Sequence, residues 1–200
     1  CVAMIMGMMT FPATAAGEKY QYNGVKDEGT NNTDLFELSE IANASKKIDA
    51  YCVDPNTTIK RVQYRVVPMG NTTAEKRVRA ILDAGYPTKT LLELGTAAGL
   101  KERVWDSVAR KHVWVPKAAW DKHAIEGTQA AIWSVYSGFT LNGMNGDAKA
   151  IYDYLLTVGQ KSGSSASGVL TISDPVLTET PTAFQFAVNY GGTGSDVTVN

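Results

Sequence analysis

The stretch Lys47-Ile48-Asp49-Ala50-Tyr51-Cys52-Val53, closed by Asp54-Pro55-Asn56, decides the fold. In an extended chain Ile48, Ala50 and Cys52 share one face, and Tyr51 and Val53 share the other. Apolar residues on both faces predict a strand covered from both sides, and the Asp-Pro-Asn run supplies turn chemistry at its end. Residues 35–41 and 61–67 are similar runs of aromatic and β-branched residues, separated from it by Asn, Gly, Asp and Thr clusters. Residues 17–69 therefore read as strands.

From residue 71 to residue 159 the period becomes helical. Thr72 with Glu75 makes a capping box, and Ala74, Val78, Ile81 and Leu82 follow as one apolar stripe. Gly85-Tyr86-Pro87 reads as the stop, with Gly85 suited to a left-handed position. Further helices are predicted over residues 100–111, from Pro116 towards Ile125, and from Gly127-Thr128 to Ser137-Gly138. A last one is predicted behind Asp147 as cap, with Ala148, Ile151, Tyr152, Leu155 and Leu156 on its buried side. Strands followed by helices make an α+β fold. The small-residue tract 161–168 reads as a linker. The strand-like residues beyond it, 169–200, either open a second β-sandwich or return to the first sheet.

Composition narrows the function classes. Hydrophobic residues are 44% and charged residues 20% of the 200, ordinary values for a packed domain. The net charge of −1 and the absence of a basic run argue against nucleic acid as partner. No apolar stretch is long enough to span a bilayer. The first, Val2-Ala3-Met4-Ile5-Met6-Gly7-Met8-Met9-Thr10-Phe11, is followed by Pro12-Ala13-Thr14-Ala15-Ala16-Gly17. Together they read as the core and cleavage site of an export signal without its basic start, over residues 1–16; a buried strand or helix is the alternative. On that reading Cys1 leaves with the signal, and Cys52 remains as a single thiol without a disulfide partner.

Three short motifs occur in order: Tyr51-Cys52-Val53-Asp54, then Ile81-Leu82 with Gly85-Tyr86-Pro87, then Thr128-Gln129-Ala130-Ala131-Ile132-Trp133. In this they resemble the thioester domain of Gram-positive surface adhesins and pilus tips, over roughly residues 20–159. The resemblance implies a β-sandwich carrying a helical subdomain within residues 17–160, with Cys52 and Gln129 brought together between them. It also implies a thioester that captures a nucleophile on a host or partner surface protein, a lysine amine above all, at an exported cell surface with wall anchoring beyond residue 200.

The residue chemistry fits. A cysteine near its ordinary pKa supplies some thiolate at neutral pH. Attack on the Gln129 carboxamide would expel ammonia, and the predicted helix start at Gly127-Thr128 would offer unpaired N–H groups to the carbonyl oxygen. Thr128 is placed to cap that turn or orient the amide. Trp133 and Tyr136, four and seven residues on, share the face of Gln129 and are placed to shelter the bond. Tyr51 is a candidate on the cysteine's side, and Asp54 a turn former. The reaction would be single-turnover acyl transfer and not enzymatic turnover, with no cofactor and no metal, since no His/Cys/Asp cluster has ligand spacing. Two alternatives remain open. One is a cysteine hydrolase or transpeptidase with His112 or His123 as base, although both histidines read as solvated helix surface. The other is a non-covalent β-sandwich adhesin.

Overall fold

A computed structural model describes residues 3–6, 19–56, 63–65, 70–163, 170–171, 178–180, 183–190 and 197–199. The chain divides into two compact units, Cys1–Gly163 and Ser164–Asn200. In the first, β1 (Ala3–Met6), β2 (Lys19–Glu28), β3 (Asp34–Glu40), β4 (Lys47–Cys52) and β5 (Gln63–Arg65) form one antiparallel sheet in the order β1-β4-β3-β2-β5. Part of the apolar stretch 2–11 is thus an edge strand, with Ala3 opposite Cys52 and Met6 opposite Asp49. The cleavage-site residues 12–17 lie outside the described residues.

β4 is buried on both faces. Ile48 and Ala50 pack with Tyr20 and Leu38, whereas Tyr51 and Val53 enter a larger cluster with Leu35 and the helices. Withdrawing a side chain the size of Ile48, Leu38, Val53 or Leu35 from water contributes about 1.5–3 kcal/mol, which is why the sheet is held between two apolar layers. The β2–β3 turn is made by Asn31 and Asn32 at φ 52° and 58°, a left-handed conformation that asparagine tolerates better than most residues.

The helices follow the sheet in sequence. α1 (Thr73–Ala84) begins at the Thr72–Glu75 capping box and buries Val78, Ile81 and Leu82. Gly85 ends it at φ −97° and not in the left-handed region. Its lack of a side chain serves close approach instead, since a Cβ there would stand 2.8 Å from both the Ile81 carbonyl oxygen and Thr128 Cγ2. α2 (Leu91–Ala97) was not expected, although Thr90 and Glu93 form a second capping box.

The helix predicted over residues 100–111 is absent. In its place β6 (Lys101–Asp106) and β7 (Lys111–Pro116) make a hairpin. Asp106 Oδ1 accepts the backbone N–H groups of Val108 and Ala109 at 2.9 Å each, and Arg110 turns the chain at φ 49°. Pro116 therefore closes a strand and does not open a helix.

The two helices predicted on either side of Gly127 are one, α3 (Asp121–Tyr136). α4 (Gly146–Gly163) runs into the tract read as a linker, and Asn145, not Asp147, caps it by accepting the Ala148 N–H at 3.0 Å. Asp147 pairs instead with Lys117. No helix among the described residues is long and apolar enough to cross a membrane.

In the second unit, β10 (Ala183–Tyr190) pairs antiparallel with β8 (Leu170–Thr171), β9 (Thr178–Thr180) and β11 (Val197–Val199). Helices and antiparallel sheets together make the chain α+β. The described strands of the first unit form the five-stranded sheet and the separate β6–β7 hairpin.

Candidate functional site

One backbone oxygen organises the site. At the end of β4 the Cys52 carbonyl accepts two side-chain hydrogen bonds from α3, from Gln129 Nε2 at 2.6 Å and from Trp133 Nε1 at 2.8 Å. Residues four apart lie one above the other on a helix, so α3 grips this oxygen from adjacent turns. All three residues are buried, with Gln129 only 1% exposed. Cys52, Gln129 and Trp133 line a cleft of about 360 Å³ together with Tyr22, Phe36, Asn32, Asp34 and Asp54. Phe139 meets the Trp133 ring edge-on at 5.7 Å.

The Gln129 amide is half satisfied. Its nitrogen is bonded to Cys52, while its Oε1 is buried without a hydrogen-bond partner. Leaving a buried amide oxygen unpaired costs about 1–3 kcal/mol. Replacing the amide by an acyl group with a weaker acceptor oxygen relieves part of that cost. Loss of Nε2 would still leave the Cys52 carbonyl its bond from Trp133.

The sulfur itself differs from expectation. Cys52 is disulfide-bonded. The chain's other cysteine, Cys1, lies outside the described residues. Cys52 Sγ lies 3.1 Å from the Asp54 carbonyl oxygen, a contact that becomes a hydrogen bond when the sulfur is a thiol.

Gln129 does not stand in a first helical turn. It lies near the middle of α3, where backbone N–H groups are already bonded within the helix, so no helix-end donors reach its carbonyl. Thr128 does not orient the amide either. Its buried Oγ1 accepts the Tyr86 N–H at 3.2 Å, while the Tyr51 hydroxyl donates to the Tyr86 carbonyl at 3.0 Å. Burial pushes the Tyr51 phenol well above its ordinary pKa against the opposing bond with Thr128, so it remains a donor. Tyr51 and Thr128 thereby tie the strand carrying Cys52 and the helix carrying Gln129 to one residue, Tyr86 of the cis Tyr86–Pro87 turn.

Tyr136 is 44% exposed and does not line the cleft, because α3 has turned towards solvent by its last residues. His112 is exposed on β7 beside Trp105. His123 is packed edge-on against Trp120 at 4.7 Å, with Nδ1 3.9 Å from Asp147, and so is not solvated surface. Neither histidine lines the cleft, which leaves the hydrolase reading without its base. Among the described residues no group of three or more His, Cys, Asp or Glu is placed to hold a metal ion.

Glu126, one turn before Gln129, is the residue that sequence reasoning passed over. It is fully buried and accepts hydrogen bonds from Thr30 Oγ1 and Asn31 Nδ2. These fasten the β2–β3 turn, and with it the cleft residue Asn32, to α3. Nothing in Ile125-Glu126-Gly127 marks this glutamate as buried, since a helical period alone does not tell a bonded interior carboxylate from a surface one.

Asp34 enters the cleft with its carboxyl raised above the ordinary range, by burial first and by repulsion from Glu28 second. A carboxyl whose folded pKa exceeds its unfolded one weakens the fold wherever it is ionised. That penalty is absent below the ordinary range and present in full above the raised value. Asp34→Asn is therefore expected to raise the unfolding temperature at pH 7 and to leave it unchanged near about pH 3. Thermal melts at the two pH values check this; an equal change at both would contradict the assigned cause.

The family model described as the thioester domain matches residues 49–161, more than half of the chain. Among solved structures the Bacillus anthracis TIE protein aligns with a TM-score of 0.47 at 18% identity, over 89% of this chain and 32% of that one. The present chain thus spans about a third of the length of that structure. No curated protein matches the chain.

Proposed function

The chain belongs to the thioester-domain family, and from that premise we propose that it is the covalent capture domain of an exported, wall-anchored surface adhesin. The Cys52 thiolate adds to the side-chain carbonyl carbon of Gln129 and the C–N bond breaks. The thiol proton leaves with the amide nitrogen as ammonia, and a thioester joins Cys52 to Gln129. A lysine amine on a host or partner surface protein then attacks the same carbon. The C–S bond breaks, an isopeptide forms, and Cys52 recovers a thiol. Each chain acts once, so the reaction is acyl transfer without turnover.

The observation that carries this reading is the Gln129 amide held 2.6 Å from the Cys52 carbonyl oxygen, in a cleft that both residues line. Holding the two groups together removes most of the entropic cost of their meeting. Trp133 limits access of water from its side of the cleft, and thioesters are far more readily aminolysed than amides. A disulfide and a thioester compete for one sulfur, so the bond requires Cys52 as a thiol. Reduction supplies it, and so does loss of residues 1–16 with Cys1 if they are an export signal.

Intact-mass measurement on the folded chain beginning at Gly17, which has no cysteine but Cys52, tests the proposal. The expected mass is lower than that of the sequence by one ammonia, and methylamine adds once and removes the deficit. In the full chain the deficit should appear only after reduction. A folded Gly17 chain with its full sequence mass, inert to methylamine, would sink the proposal.

A further inference from the structure

The β6–β7 hairpin has two unlike faces. Residues 102, 104 and 106 of β6 share a face with 111, 113 and 115 of β7, where Val104, Val113 and Val115 are half-buried. The opposite face is exposed throughout. It carries Lys101, Arg103 and Trp105 opposite Pro116, Trp114 and His112. Trp105 is 60% and Trp114 67% exposed, a large indole surface left in water. The two stand on diagonal positions of the ladder, and His112 meets Trp105 edge-on at 5.2 Å.

Charge follows the same division. Arg110 extends the cationic end of the hairpin at its turn. Its two acids, Glu102 and Asp106, lie on the other face, and Asp106 is engaged with the turn N–H groups. Among the described residues none of Lys101, Arg103, Arg110 and Lys111 makes an ion pair. The cations are therefore gathered on a chain whose overall charge is −1.

We propose that this outer face binds an anionic polysaccharide, with Trp105 and Trp114 stacking on sugar rings and Lys101, Arg103 and Arg110 pairing with carboxylate or sulfate groups. Charge complementarity selects an anion, and the indoles select its shape. The face of an indole is its negative side. It attracts the C–H groups on the flat side of a sugar ring and repels the carboxylates of an acidic peptide laid across it. Single-stranded nucleic acid also stacks on aromatics, but its dense phosphates call for a long basic groove. A few cations on a near-neutral chain suit the sparser charge of an acidic glycan. The proposal is independent of the Cys52–Gln129 chemistry. Non-covalent glycan binding would hold the chain at a surface before any covalent step.

Calorimetric titration of the full chain with a hyaluronan decasaccharide and a heparin decasaccharide tests it and separates carboxylate from sulfate. At least one is expected to bind, more weakly as salt rises. Affinity should fall about tenfold in Trp105→Ala and in Trp114→Ala, and further in Arg103→Glu. Trp105→Phe keeps a ring and should stay close to the parent. Because these side chains are exposed, unchanged unfolding temperatures will show that the variants fold. The proposal is overturned if neither saccharide binds, if the alanine variants bind like the parent, or if oligothymidine or polyglutamate of equal length binds more tightly than both.

Discussion

Gln129→Glu is expected to abolish the mass deficit and methylamine capture completely, and to cost the fold about 3 kcal/mol at pH 7. The chemical loss is simple: no ammonia can leave. The stability loss comes from the site. Gln129 is 1% exposed and its Nε2 donates to the Cys52 carbonyl. A glutamate there sets an anionic oxygen against that carbonyl oxygen, in a position where the existing Oε1 already finds no donor. Burial raises the folded pKa of such a carboxyl above its unfolded value. The penalty is therefore absent below about pH 4, grows as pH rises from the unfolded pKa towards the folded one, and is complete above it. Denaturant midpoints against pH should thus converge for parent and variant in acid and diverge towards neutrality. The same substitution has the composition of the hydrolysed thioester, so it also measures how far water damages a spent site. A Gln129→Glu chain as stable as its parent at pH 7 would mean that the amide is not held as described.

How much of this was open to sequence reasoning depends on what each residue's neighbours add. The strand through Cys52 was legible, because alternation on both faces has one packing solution, and Tyr51 with Val53 on one side and Ile48 with Ala50 on the other occupy it. The meeting of Cys52 with Gln129 was legible only as a resemblance between motifs, since seventy-seven residues separate them and no local period joins them. The hairpin at residues 101–116 was misread because Val104, Trp105 and Val108 satisfy a helical spacing as readily as an extended one. Asp106 and Arg110, which make the turn, were the better signal. α2 escaped although Thr90–Glu93 repeats the spacing of Thr72–Glu75 that located α1. The roles of Thr128 and Glu126 were out of reach, because their partners Tyr86, Thr30 and Asn31 come from other elements.

Gly127 shows why a single misread residue moved the whole chemical argument, and it gives the second large effect. Glycine before Thr128 suggested a helix start, which would have surrounded Gln129 with free N–H groups. In the structure Gly127 lies inside α3 because α4 crosses there. A Cβ on it would stand 2.7 Å from Ile151 Cγ2 and 2.9 Å from the Ala148 carbonyl oxygen. The second of these atoms is backbone and cannot rotate away. Helix propensity alone favours alanine over glycine by about 1 kcal/mol. Overpacking a closed interface costs about 1–3 kcal/mol, and more where backbone must shift. Packing wins, so Gly127→Ala is expected to destabilise the first unit by about 2 kcal/mol, a fall of roughly 4–8 °C in Tm for a domain of this size. Its effect should reach the chemistry. α3 can relieve the contact only by moving off α4, and the Gln129–Cys52 and Trp133–Cys52 bonds have little slack at 2.6 and 2.8 Å. Thioester yield, read as the fraction of molecules lacking one ammonia, should fall in Gly127→Ala at temperatures where the chain is still folded. If Gly127→Ala proves more stable than the parent with full thioester yield, propensity has prevailed, and the seat of α3 on α4 does not set the position of Gln129.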